Sequence, residues 1–93
     1  MIKSFKTKET QILFQRRSVP RFKAIERQAL RRLAFLNAAT SLDDLRYPPS
    51  NRFEKLRGDL KGFYSLRINI QWRLCFKWQD GHAYEVEIVD YHA

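Results

Sequence analysis

The sequence predicts an α+β fold in which N-terminal helices pack on one face of a twisted antiparallel sheet, and three observations carry that prediction. Apolar residues recur three and four apart in the first half of the chain and at every second position in the second half. Between the halves lies the one linker-like stretch, Tyr47-Pro48-Pro49-Ser50-Asn51. Ninety-three residues, 44% of them hydrophobic and 14% aromatic, supply one hydrophobic core and two thin layers, so a single domain over 1–93 is expected.

The elements follow in order. Ile2 to Phe5 reads as a short strand, and Thr7 as the N-cap of a brief helix running to Arg16 with Glu9 in its first turn. Pro20 suits the first turn of a second helix whose apolar face is Phe22, Ile25, Ala29, Leu33 and Leu36. On that helix Lys23, Arg27 and Arg31 make a basic stripe, about a hundred degrees from the apolar one. Ser41 with Asp44 three residues on reads as a capping box opening a last helical turn before the prolines.

In the second half Trp72, Leu74, Phe76 and Trp78 point one way, and Arg73, Cys75 and Lys77 the other. Tyr64, Leu66 and Ile68, and then Tyr84, Val86 and Ile88, alternate in the same manner. Three antiparallel strands result, preceded by a shorter one at Phe53 to Leu56. Side-chain parity then sets the turns. Gln79-Asp80-Gly81 becomes a three-residue loop with Gly81 left-handed, and Asn69-Ile70-Gln71 a second one, which places Arg67 opposite Arg73.

Eighteen Lys and Arg against ten Asp and Glu leave a net charge of +8. Polyanions are the natural partners of such a surface, although nucleic acid, an anionic membrane and an acidic protein all satisfy that bound. The single cysteine, Cys75, excludes an internal disulfide framework and a cysteine-built zinc site. Neither an apolar leader after Met1 nor an apolar run of membrane-spanning length is visible, so a cytoplasmic protein without membrane association is expected.

Chemistry collects on the polar face of the sheet. Arg67, Arg73 and Lys77 lie there, joined by Lys55, Arg57 and Lys61 from the segment before it, and together they make a phosphate-binding surface. Arg73 has an alternative use as the cross-strand partner of Glu87. The last strand ends in Asp90-Tyr91-His92, with Tyr91 on the face of Arg67 and Arg73 and placed for base stacking. A histidine's unperturbed pKa of about 6.5 suits proton transfer near neutrality, which singles out His92 near this face, though an exposed histidine with no such duty fits the same text. His82 beside its turn reads as structural or exposed. Cys75 reads as a small, buried or half-buried side chain with no histidine beside it to activate it.

These residues sit in text that resembles the HigB branch of the RelE-like toxins: Asn51-Arg52-Phe53-Glu54-Lys55-Leu56-Arg57-Gly58-Asp59, Tyr64-Ser65-Leu66-Arg67-Ile68-Asn69, Gln71-Trp72-Arg73-Leu74-Cys75-Phe76 and Val86-Glu87-Ile88-Val89-Asp90-Tyr91-His92. With Met1-Ile2-Lys3-Ser4-Phe5 the resemblance covers both ends and most of the second half. It implies a RelE-like small domain and a toxin of a type II toxin–antitoxin system. Such a toxin is a ribosome-dependent, metal-independent endoribonuclease that uses no cofactor and cuts messenger RNA in the decoding site. The message's 2′-hydroxyl would attack the adjacent phosphorus, with Arg73 stabilising the phosphorane and Arg67 gripping phosphate. His92 would be acid or base, Asp90 would assist it, and Tyr91 would position the nucleotide. Some members carry histidine where this chain has Glu54, and some carry lysine where it has Arg57. The resemblance also implies a helix-turn-helix, HigA-like antitoxin, with operator DNA bound only through the toxin–antitoxin complex. Lys23, Arg27 and Arg31 would face ribosomal RNA or the antitoxin, or else form only a solvated helix face. Two other readings fit the fold: a ParE-like gyrase poison and a non-catalytic RNA-binding module.

Overall fold

Thr7 heads the first helix as a cap: its backbone is extended and its Oγ1 accepts the Thr10 amide at 3.4 Å. The helix, α1, spans Lys8–Phe14 and stops short of the expected Arg16, which turns left-handed at φ 63°. The computed structural model describes residues 1–91. Pro20 opens a 3₁₀ segment, Pro20–Ile25, that leads directly into α2, Glu26–Ala38. All five residues of the expected apolar face, Phe22, Ile25, Ala29, Leu33 and Leu36, are buried. Phe22 meets Trp72 of the sheet edge-on at 5.5 Å, which ties the helical layer to the sheet. Ser41 and Asp44 form the expected capping box, although the turn they cap, Leu42–Arg46, is 3₁₀.

The sheet has four antiparallel strands in the order β1 (Glu54–Lys55), β2 (Phe63–Arg67), β3 (Trp72–Gln79) and β4 (His82–Asp90). Arg67 faces Arg73 across β2 and β3 as expected. The three-residue turn that sets this register is held by Asn69, whose Oδ1 accepts the amides of Gln71 and Trp72, both at 2.8 Å. Leu66, Ile68, Trp72, Leu74, Phe76, Val86 and Ile88 are buried against the helices, and burying each such side chain contributes roughly 1.5–3 kcal/mol.

The far hairpin departs from the expected one. Gln79 pairs with His82, so the loop is the two residues Asp80-Gly81, with φ 52° and 80°. Two positive φ values are what a type I′ turn needs, and Asp-Gly is its usual sequence. The parity argument failed because the ladder slips between Cys75 and Lys77, where Glu85 takes φ 51° and forms a bulge. The bulge puts Tyr84 opposite Lys77 rather than on the core face with Val86, and Ala83 fills the core in its place. The expected N-terminal strand is reduced to two isolated parallel bridges along β4, Ile2 with Ala83 and Phe5 with Val86. No helix among the described residues is long and apolar enough to cross a membrane.

Candidate functional site

Helices cover one face of the sheet, and the other face carries the charged residues. Across it runs the row Glu54, Ser65, Cys75 and Glu87, and beside that the row Arg67, Arg73 and Val89. Arg73 is the centre of the arrangement. Its Nε donates to Ser65 Oγ at 2.9 Å and its Nη2 to the Arg52 carbonyl at 2.6 Å. That carbonyl is available because the short 3₁₀ turn Pro49–Asn51 ends with Arg52 left-handed, at φ 44° and ψ 56°, which turns its C=O out of the ladder. Glu54 Oε1 lies 3.7 Å from the same Nη2, and the Tyr91 ring centre 5.8 Å from the guanidinium carbon. Arg73 is therefore buried, at 8% exposure.

Arg73 and Glu87 do not pair. Glu87 stands opposite Cys75 and reaches Lys6 at 3.9 Å instead. More than half of the Glu54 side chain is exposed, so its ion pair with Arg73 adds little to stability. The two hydrogen bonds to Ser65 and Arg52 aim the guanidinium, whose fork has donors left for an anion.

In front of Arg73 opens a hollow of about 340 Å³ that Arg52, Arg67, Asn69 and Tyr91 line together with Glu54. Among the described residues Arg67 makes no ion pair; its backbone carbonyl accepts Arg32 Nε from α2 at 2.8 Å. Three arginines and one acidic residue thus line the hollow, an excess of positive charge suited to a phosphate. Arg52 and Asn69 were not among the site residues expected from sequence, and Glu54 was noted only as the position where some members of the family carry histidine. The turn-favouring text before β1 and the Asn69 turn signalled bends, but not that the bends lead to Arg73.

The remaining expected residues divide. Lys55, Arg57 and Lys61 line a separate open hollow of about 370 Å³ around Gly58. Lys77 is not brought to the arginines: it lies four residues along β3 from Arg73, about 13 Å, and is held by Glu85 at 3.1 Å and by the Phe63 ring. Asp90 is placed opposite Trp72, where its Oδ2 accepts from Gln71 Nε2 at 3.1 Å. His92 lies outside the described residues. Lys23, Arg27 and Arg31 are exposed, but the stripe is broken: Lys23 belongs to the 3₁₀ segment, whereas Arg27 and Arg31 share a groove with Arg16. Burial pushes the Cys75 thiol up, away from the thiolate a nucleophile requires. Tyr91, whose hydroxyl lies 3.9 Å from Cys75 Sγ, is also raised, first by burial and then by Cys75.

Comparison with known proteins adds family and fold. Residues 3–92 match the family described as the RelE-like toxin of type II toxin-antitoxin system HigB. Toxin HigB-1 of Vibrio cholerae is 53% identical over 60 residues, which is 64% of this chain and 63% of that protein; the match thus spans a little under two thirds of that relative. Endoribonuclease HigB of Proteus vulgaris is 31% identical over 93 residues, covering 99% of this chain and 100% of that one. Among solved structures, a histidine-to-glutamine mutant of YafQ from E. coli aligns with a TM-score of 0.64 at 15% identity, covering 98% of this chain and 94% of that one. The YoeB-YefM complex from Staphylococcus aureus aligns with a TM-score of 0.62 at 21% identity, over 100% and 99% of the two chains. These structural likenesses concern the fold.

Proposed function

This chain belongs to the HigB family of RelE-like toxins of type II toxin–antitoxin systems, and from that premise we propose that it is an endoribonuclease that cuts messenger RNA in the decoding site of the small ribosomal subunit and so inhibits translation. The 31% identical relative of full length bears the name Endoribonuclease HigB. The observation that carries the reading is the hollow where Arg67, Arg73, Glu54 and Tyr91 converge.

The step uses the message's own 2′-hydroxyl and needs neither metal nor cofactor. That oxygen loses its proton and attacks the adjacent phosphorus, the P–O5′ bond breaks, and a proton goes to the departing 5′-oxygen. A 2′,3′-cyclic phosphate and a 5′-hydroxyl result. Negative charge grows on the non-bridging oxygens as the phosphorane forms, and the pre-aimed Arg73 guanidinium meets it there. Arg67 grips the same or the neighbouring phosphate. The Glu54 carboxylate, in the hollow with both arginines, is the group suited to take the 2′-proton. His92, assisted by Asp90, supplies the proton to the 5′-oxygen, and Tyr91 positions the nucleotide. Lys55, Arg57 and Lys61 hold flanking phosphates, and Arg27 and Arg31 contact ribosomal RNA.

A toxin of this family works with an antitoxin. For this chain we infer a helix-turn-helix, HigA-like partner that brings the complex to operator DNA, with the toxin acting in the cytoplasm. Primer extension on a translated message, with and without ribosomes, tests the reading. Cuts within the message only when ribosomes are present support it, and an intact message at saturating protein overturns it.

A further inference from the structure

A second groove, of about 270 Å³, lies between α2 and the turn Pro49–Asn51, and Arg31, Arg32, Phe35, Ser50 and Asn51 line it with Pro48. Among the described residues no acidic one lines it, and neither arginine makes an ion pair. It adjoins the arginine hollow at two points. Arg32 Nε donates at 2.8 Å to the carbonyl of Arg67, which lines the hollow, and Asn51 directly precedes Arg52, whose carbonyl accepts from Arg73. The Arg32 Nε is thereby engaged, while its Nη groups make no hydrogen bond to a described residue. Burial and the charge of Arg31 beside it lower the Arg32 pKa from its usual value. Two cations set side by side without a carboxylate gain from an anion that accepts from both. Asn51 is buried and its Nδ2 donates to the Tyr47 carbonyl at 3.2 Å, which fixes the turn, and Ser50 is left exposed at the groove.

We propose that this groove is a second phosphate subsite: while the arginine hollow holds the scissile phosphate, Arg31, Arg32 and Ser50 hold the phosphate of a neighbouring nucleotide of the message. The inference rests on the ribonuclease reading and goes beyond it in giving the strand a path out of the hollow. Arg32 joins the two sites. Its Nε fixes the backbone of Arg67, and the rest of its fork, with the Ser50 hydroxyl, donates to the next phosphate. A strand held by charge-assisted bonds at two successive places resists sliding past Arg73, so the scissile phosphorus stays where that guanidinium is aimed. Phosphate contacts carry no sequence information, and this subsite therefore sets the register of the strand and not a codon preference.

The test is single-turnover cleavage, at subsaturating protein, on ribosomes programmed with messages in which one phosphate near the cut, other than the scissile one, is replaced by a neutral methylphosphonate. The nucleotide on its 5′ side is 2′-deoxy, and a message with the deoxy change alone is the reference. With the wild-type protein, one neighbouring position is expected to show a penalty of about ten-fold or more. Arg32→Gln, which removes the charge and keeps an N–H donor, is expected to shrink that penalty toward one. Ser50→Asp, at an exposed residue, sets a carboxylate against the phosphate, so at that position the neutral message should be cut faster than the charged one. The second variant keeps the test decisive should the first disturb Arg67. A wild-type protein that cleaves with no such penalty overturns the subsite and leaves the ribonuclease reading standing. So does a penalty of undiminished size in both variants, or variants that keep it and lose ribosome pelleting instead, which would give the groove to ribosomal RNA. A wild-type protein that never cuts takes down both.

Discussion

Arg73 Nε donates to Ser65 Oγ at 2.9 Å, and Ser65 is fully buried although it lies on the charged face of the sheet. A serine placed there does one thing that alanine cannot: it fixes the plane of the guanidinium. Ser65→Ala leaves a donor of a nearly buried cation unsatisfied, at a cost of about 1–3 kcal/mol, so the thermal midpoint should fall. Cleavage of bound message should fall too, by up to about a hundred-fold, through misaim alone. Ribosome affinity should be unchanged, because Arg67 and the exposed basic residues are untouched. A melting curve, single-turnover rates and ribosome pelleting separate these effects.

Glu54→Gln keeps the shape of the hollow and removes its carboxylate. If Glu54 takes the 2′-proton, the rate should drop by about a hundred-fold or more. Affinity for ribosomes should hold or increase, since a negative charge beside a phosphate is lost. A folded, ribosome-bound Glu54→Gln that cuts at the wild-type rate in single-turnover assays would assign the proton transfer elsewhere.

Asp44 offers a stability test with a definite sign. The amides of Thr40 and Ser41 donate to its carboxylate at 3.0 and 3.2 Å and hold it below the usual carboxylate range. A depressed folded-state value means the contribution is present above the unfolded carboxylate pKa and is lost as pH falls through the lower folded one. Asp44→Asn should therefore be less stable than wild type near neutrality, with the gap closing on acidification. Urea melts across that range report it, and a constant gap would contradict the capping box.

Gly81 at φ 80° sits where a Cβ would come within 3.3 Å of the Thr40 carbonyl. Gly81→Ala is expected to cost about 1–2 kcal/mol from the left-handed backbone alone and to lower the thermal midpoint by several degrees. The turn lies at the opposite end of β3 from Arg73, so cleavage at a permissive temperature should stay near wild type.

Much of this fold is legible in the sequence because the signals are local. The period of Phe22 to Leu36, the Thr7 and Ser41 caps and the alternation of Trp72, Leu74 and Phe76 each depend on neighbours a few residues away. The failures share a cause. Parity arguments assume an unbroken ladder, and the bulge at Glu85 breaks it; the Asp80-Gly81 dipeptide had carried the better signal. At the site, Arg67 facing Arg73 follows from the length of one turn. That Arg73 is tied to Arg52 rather than to Glu87 depends on a left-handed residue after a proline turn, a tertiary event that no pattern within one strand encodes. Glu54 enters the site by the same route. Lys77 was placed correctly on its face but too far along it, since alternation reports side and not distance.

The most direct measurement is single-turnover cleavage of message on preformed ribosome complexes by wild type and Arg73→Ala, with folding checked by circular dichroism and binding by pelleting. Removing one electrostatic stabiliser of a transition state typically costs about a hundred- to a thousand-fold. Arg73→Ala is expected to bind as wild type does and to lose activity on that scale, and Arg73→Lys should restore little, because an ammonium lacks the planar fork. A folded, ribosome-bound Arg73→Ala that cuts at the wild-type rate would show that the arginine hollow is not where the message is cleaved.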